Sequence, residues 1–153
     1  MTGSQNVRRP QVLFLCTGNY YRSRFAEVLF NDLAREAGIA WRATSRGVAI
    51  ELGVHNLGPV SPWAAGGLAA RGRYLPQPAR RPRQLRPAEL EGAGRVVALK
   101  EAEHRRFLAE RFPGWEERVE YWHIDDLDIA SATDALAQLE TRVRALVDEL
   151  ADS

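Results

Sequence analysis

The chain holds a single cysteine, a single methionine and a single lysine, Lys100, among its 153 residues. One cysteine cannot close an internal disulfide, which excludes a disulfide-stapled secreted scaffold and leaves no sign of an oxidising compartment. No apolar run approaches the roughly 20 residues that a membrane helix requires. The longest early run, Val12 to Cys16, is too short for the core of a secretory signal, so the expected location is cytoplasmic. Neither sign of charge is in excess: 21 Lys plus Arg face 20 Asp plus Glu, a net +1. Whole-chain charge therefore gives no argument for nucleic acid. The three histidines, His55, His104 and His123, are scattered without metal-ligand spacing. Gly92-Ala-Gly94 precedes a strand instead of following one, so it is no dinucleotide fingerprint, and no Walker-type lysine is present. Neither a metal nor a cofactor is expected.

What remains is an ordinary globular mixture, 45% hydrophobic and 27% charged, of a size that suits one domain. Residues 1–10 are polar and end in Arg8, Arg9 and Pro10; they are expected to form a disordered terminus, with residues 11–153 as a single domain. Val12 to Cys16 is short, wholly apolar and followed by Thr17-Gly18-Asn19, the pattern of a strand buried on both faces. Ser23 to Ala37 has helical spacing, with Phe25, Val28, Leu29, Leu33 and Ala37 on one face and Gly38 at the C-terminal cap position. A second strand is expected over Trp41–Ser45, with Arg46-Gly47 as a turn, and a helix from Ser61-Pro62 to Ala70. Further strands are expected at Arg95–Leu99 and Val119–Ile124, and further helices at Glu101–Phe112 and Asp134–Leu150. Between Leu52 and Ala88 no acidic residue occurs, while six of the eight prolines and a series of arginines (Arg71, Arg73, Arg80, Arg81, Arg83, Arg86) do; this reads as an irregular basic surface strip. Strands alternating with helices predict a three-layer α/β domain, a four-stranded parallel sheet with helices on both faces. Ligands on such sheets sit beyond the carboxyl ends of the strands, where two loops carry suitable chemistry: the one after the first strand and the one after the last.

The first of these is Cys16-Thr17-Gly18-Asn19-Tyr20-Tyr21-Arg22-Ser23. A loop between a strand and a helix can turn successive backbone N–H groups inward as an anion-binding nest, and the helix N-terminus adds open donors and a partial positive charge. Gly18 suits a sharp turn, and Asn19 tolerates a left-handed conformation. Arg22 can grip two phosphate oxygens with its planar fork. At the bottom of such a cradle Cys16 is placed as a thiolate nucleophile, and Ser23 is placed to donate a hydroxyl to the sulfur. Thr17, Gly18, Asn19, Tyr20, Tyr21 and Ser23 are the expected substrate-binding residues. A lone cysteine ending an apolar strand is usually a small buried hydrophobe; the complete Cys-x5-Arg-Ser pattern between strand and helix reverses that reading. Phosphoester cleavage also needs an acid for the leaving group. Asp125, Asp126 and Asp128 follow the fourth strand, and composition leaves open which of them serves and which merely solvate the loop.

The stretch from Val12 through Arg22-Ser23 to Glu27 resembles the signature of the low-molecular-weight protein tyrosine phosphatase family. Arg83-Gln84-Leu85, Arg95 to Leu99, and Tyr121-Trp-His-Ile-Asp-Asp-Leu-Asp resemble later family segments in the same order. The resemblance implies a flavodoxin-like fold with strand order 2-1-3-4 and metal-independent hydrolysis of a phosphorylated protein or a small phosphomonoester. It implies a phosphocysteine on Cys16, phosphate binding by Arg22, and a general acid at Asp126, with Asp125 in reserve. A monomer that binds neither nucleic acid nor membrane is expected. The departures are specific. Arg24 stands where the family usually has proline, and Leu127 replaces the proline after the acid. Tyr21 stands where many members carry a second, protective cysteine, so oxidation of Cys16 is expected to run to sulfenic acid and beyond. Aromatic residues that often follow the acid are absent, and Tyr20 replaces the threonine of the phosphoarginine-specific members. Related arsenate reductases need further cysteines, which this chain lacks. A silent phosphate-binding module with the same cradle is the alternative reading, and an arginine-run nucleic-acid binder a weaker one.

Overall fold

A computed structural model describes residues 10–126 and 131–153. The expected disordered terminus, Pro10 apart, lies outside the described residues, as do Leu127, Asp128 and Ile129.

The central strand β1 (Gln11–Cys16) is buried at every residue after Gln11. It lies between β2 (Arg42–Gly47) and β3 (Arg95–Ala98), and β4 (Glu120–Tyr121) follows on the far side of β3. The order is β2-β1-β3-β4 and every pairing is parallel, as the resemblance implied. Two strands differ from expectation. The β2 strand runs on through Gly47 instead of turning at Arg46, because the backbone of Arg83 and Leu85 bonds to both sides of Gly47 (Gly47 N–H to the Arg83 carbonyl, 2.8 Å; Leu85 N–H to the Gly47 carbonyl, 2.8 Å). The β4 ladder is two residues long: its regular pairing with β3 covers only Val97 with Glu120 and Ala98 with Tyr121, and the next helix begins at Glu101, three residues after Ala98. The chain still tracks that end through bonds from Trp122 to Ala98 and from Ile124 to Leu99.

Helices α1 (Arg22–Ala37), α2 (Pro62–Ala69), α4 (Glu101–Arg111) and α5 (Ala132–Ala151) match the expected segments to within two residues, and α3 (Pro87–Gly92) was not expected. The start of α3 is set by Pro87 and by Glu89, whose carboxylate accepts the Arg86 N–H at 2.8 Å. Gly38 closes α1 in a left-handed conformation, φ 70°. The double-faced reading of β1 holds in detail. Val12 and Phe14 pack into the cluster built from α1, α2 and α5; Leu13 and Leu15 pack into the one built around α3 and α4. Each such fully buried side chain contributes about 1.5–3 kcal/mol. Together they fix the register of β1 and so the position of Cys16 at its end.

The basic strip is only partly a surface feature. Arg71 pairs with Glu140 (2.7 Å), Arg73 with Glu36 (2.6 Å), and Arg80 turns inward onto Glu27 (3.1 Å). Arg81, Arg83 and Arg86 stay exposed. No helix of the described residues is long and apolar enough to cross a membrane.

Candidate active site

Cys16 ends β1 at 3% exposure, and the chain loops through residues 17–21 into α1. Among the described residues, the backbone N–H groups of this loop donate to no carbonyl or side chain, whereas those of the neighbouring segments at residues 47–49 are paired. No side chain caps α1, and its first turn carries no acid, so the first donors and the positive end of the helix stay uncompensated next to the open donors of the loop. The left-handed residue of the loop is Asn19, φ 52°; Gly18 has no positive φ. The glycine that the loop requires is Gly47, which sequence reasoning placed in a turn. A Cβ there would lie 2.7 Å from the Thr17 carbonyl oxygen and 3.1 Å from the Asn19 nitrogen, so any larger side chain displaces the loop itself.

Beneath the loop both polar atoms of the Asn19 side chain are used. Its amide donates to Ser23 Oγ and Ser45 Oγ, each at 2.9 Å, and its Oδ1 accepts from Arg80 Nη1 and the Arg83 N–H, each at 3.0 Å. Because the Ser23 oxygen already accepts from Asn19, its hydroxyl proton is free to point at Cys16 Sγ, 2.9 Å away. Asn19 and Ser23 are fully buried and stand behind the cavity wall, not in it. Arg24, which replaces the usual proline, is also buried. Its guanidinium holds the carbonyls of Asn19 (3.3 Å), Pro59 (3.0 Å) and Arg80. Burial and the nearby Arg80 charge push its pKa down to about 10, so it remains a cation at neutral pH and clamps the loop from outside.

Arg22 is 2% exposed. Its Nη1 donates to the Ile124 carbonyl (2.9 Å), and its Nη2 contacts Glu103 Oε2 (2.7 Å) and Asp126 Oδ2 (3.5 Å). A guanidinium has five N–H donors, so others are left for an oxyanion. Burial opposes the charge of Arg22, and Cys16, Glu103 and Asp126 more than restore it.

Glu103 and His104, in the first turn of α4, were not foreseen from the sequence. Glu103 Oε2 is a hub that accepts from Arg22, from the Thr17 hydroxyl and from His104 Nε2 (3.0 Å). His104 is fully buried. Its Nδ1 accepts the Lys100 N–H at 3.1 Å, which leaves the proton on Nε2, facing Thr17 Oγ1 (3.2 Å) and Glu103. Burial, with the Arg22 charge, holds the imidazole below its ordinary 6.5. Burial also opposes ionisation of Glu103, but the hydrogen bonds from His104 and Arg22 outweigh it and hold the carboxyl well below 4.5.

These two shifts act on stability with the same sign. Below pH 6.5 the unfolded chain protonates a histidine that the fold keeps neutral. Below 4.5 it protonates a carboxylate that the fold keeps charged. In each window the unfolded state binds more protons, so stability falls as pH falls. The melting temperature is expected to decline in both windows, and His104→Gln to flatten the upper one. Parallel declines for variant and wild type would exclude His104 as the source.

The cavity above the sulfur, about 130 Å³, is lined by Cys16, Thr17, Gly18, Tyr20, Tyr21 and Arg22, together with Asn56 and Asp126. The Tyr20 hydroxyl donates to the Leu57 carbonyl at 2.6 Å, tying the cradle to the loop that presents Asn56. Burial and the Asp126 charge, partly countered by Arg22, push Tyr21 up to about 12, so its phenol stays neutral. The carboxylates separate: Asp125 Oδ1 pairs with Lys100 Nζ at 2.6 Å, whereas Asp126 faces the cavity and Arg22. Asp128 lies outside the described residues. His123 is exposed and does not line this cavity.

A family profile for low molecular weight phosphotyrosine protein phosphatases matches residues 11–153. The fold is similar to a low molecular weight protein tyrosine phosphatase from T. tengcongensis, at 26% identity, 92% of this chain and 99% of that chain, TM-score 0.75. It is similar to YfkJ from Bacillus subtilis, at 21% identity, 95% and 96% coverage, TM-score 0.77. It also resembles the YwlE arginine phosphatase from Geobacillus stearothermophilus, at 22% identity, 94% and 91% coverage, TM-score 0.65. The comparison with curated proteins gave no match.

Proposed function

Since the chain belongs to the low molecular weight phosphotyrosine protein phosphatase family, whose members are cysteine-dependent phosphatases, we propose that it hydrolyses phosphomonoesters in two steps through a phosphocysteine on Cys16. The observation that carries this reading is the row of open amides at residues 17–21 over a buried cysteine, closed on one side by Arg22. Asn19 and Tyr21 are buried and Thr17, Gly18 and Tyr20 half-buried; a row of open N–H groups in such a loop at a helix N-terminus is a receptor for an oxyanion.

In the first step the Cys16 thiolate attacks phosphorus in line, forming the S–P bond as the P–O bond to the leaving group breaks. The protonated carboxyl of Asp126 gives its proton to the departing oxygen. In the second step the Asp126 carboxylate takes a proton from water as that water attacks the phosphocysteine, releasing inorganic phosphate and the thiolate. The loop amides and Arg22 hold the three equatorial oxygens throughout, and their preorganised dipoles stabilise the charge of the transition state. Ser23 steadies the sulfur as it becomes an anion again. No metal enters either step. Asp126 is assigned over Asp125 because Asp125 is held by Lys100.

The substrate is a phosphorylated protein or small phosphoester, and residues 11–153 act as one domain in the cytoplasm. Rapid acid quench during turnover of para-nitrophenyl phosphate, followed by peptide mass analysis, is expected to find phosphate on the peptide bearing Cys16. Turnover with no phosphate ever trapped on that peptide would remove the two-step scheme. Phosphate binding without turnover would favour the silent module.

A further inference from the structure

We propose that Arg81, Arg83 and Arg86 form a docking edge that holds an acidic segment of a phosphorylated protein substrate while its phosphoryl group enters the cradle; the substrate half of this inference rests on the phosphatase reading.

Their charge is unspent. Many of the other described arginines find carboxylates, as Arg73 does in Glu36, Arg95 in Glu149 and Arg111 in Glu51, or lie over rings, as Arg118 does over Trp115, and the buried Arg24 holds carbonyls. Arg81, Arg83 and Arg86 are exposed, and among the described residues their guanidinium groups have no such partner. The strip itself supplies none, since no acidic residue occurs between Leu52 and Ala88, and Glu89 is the first acid after it. Arg83, Gln84 and Arg86 line a cavity of about 420 Å³ with Arg46 and Glu89. Glu89 binds Arg46 at 2.5 Å, so this one carboxylate leaves Arg83 and Arg86 open.

The edge is held in place against the cradle. The Arg83 N–H bonds to Asn19 of the phosphate loop, and the backbone of residues 83 and 85 brackets Gly47. The Gln84 amide group accepts from the Ile50 N–H at 3.1 Å and donates to the Val48 carbonyl at 3.0 Å. Gly47 is the register partner of Cys16, and Gln84 bridges Gly47 on its other side. Two strand spacings therefore separate Gln84 from Cys16, about 10 Å between backbones. An extended peptide advances about 3.3 Å per residue, so acidic side chains about three residues from the phosphorylated one reach these guanidinium groups, whose forks match carboxylates. A nucleic acid fits less well, because the lining offers no aromatic face on which a base could stack.

The test compares wild type with the variant Arg81→Ser, Arg83→Ser, Arg86→Ser on three substrates: a phosphotyrosine peptide with glutamates around three residues away, the same peptide with glutamines, and para-nitrophenyl phosphate. Wild type is expected to prefer the glutamate peptide by about 10-fold in kcat/KM at low salt, as three exposed ion pairs allow, and the preference is expected to shrink as salt rises. The triple variant is expected to lose the preference and to keep its activity on para-nitrophenyl phosphate. Equal use of both peptides by wild type, or a preference that survives in the variant, overturns the docking edge and leaves the phosphatase intact. Fluorescence anisotropy of the same peptides on Cys16→Ser keeps the two ideas apart. Arginine-dependent binding of the glutamate peptide supports the edge even if wild type hydrolyses nothing, which would sink only the phosphatase reading. Single-stranded RNA that displaces the peptide and binds more tightly, through the same arginines, would overturn the choice of partner.

Discussion

Cys16→Ser is expected to lower turnover of para-nitrophenyl phosphate by at least about 10⁴-fold, with inorganic phosphate still bound to within a few-fold of wild type by calorimetry. The two side chains are nearly the same size, so Ser23, the loop amides and Arg22 keep their places. What changes is the attacking atom: a hydroxyl needs a base to ionise it, but Ser23 offers only another hydroxyl, His104 faces Thr17 and Glu103, and Asp126 is already committed as the proton donor to the leaving group. Loss of turnover with binding retained separates the nucleophile from the receptor around it. A variant that kept a tenth of wild-type activity would end the case for covalent chemistry at this sulfur.

Asp126→Asn is expected to reduce kcat by about 10²–10³-fold on a phosphate ester with a poor leaving group such as phenyl phosphate, and by much less when the leaving group is para-nitrophenolate, which departs without a proton. Asp125→Asn is expected to stay within a few-fold of wild type on both, since its carboxylate is engaged with Lys100 at 2.6 Å. The dependence on leaving group is the diagnostic part, because damage to the fold would lower both substrates alike. A large loss confined to Asp125→Asn would move the acid by one residue.

The scaffold was readable because its signals are local. An apolar pentad followed by Thr-Gly-Asn, a helical stripe ending at Gly38, and a final helix with Leu136, Leu139, Val143 and Val147 on one side each declare themselves within a few residues. The loop from Cys16 to Ser23 was equally local, and its sulfur–hydroxyl contact appears as expected. What escaped was set by strand order. The α4 helix starts where β3 ends, and β3 lies beside β1, so its first turn meets the cradle across 81 to 87 residues of sequence, as Glu103 meets Arg22 and His104 meets Thr17. A glutamate and a histidine on a polar helix carry no pattern that reveals this. Gly47 was missed for a related reason: its need for a bare Cα comes from the Thr17 carbonyl above it, not from its own chain conformation. Arg80 was read as part of an exposed strip because a basic run gives no hint of which member turns inward onto Asn19 and Glu27.

The bond from Arg22 Nη1 to the Ile124 carbonyl ties the cradle to the segment that follows the last strand. Ile124 stands two positions ahead of Asp126, and Asp126 Oδ2 lies 3.5 Å from the same guanidinium. One buried side chain thus anchors both the wall of the cavity and the main chain that presents the Asp126 carboxylate to it.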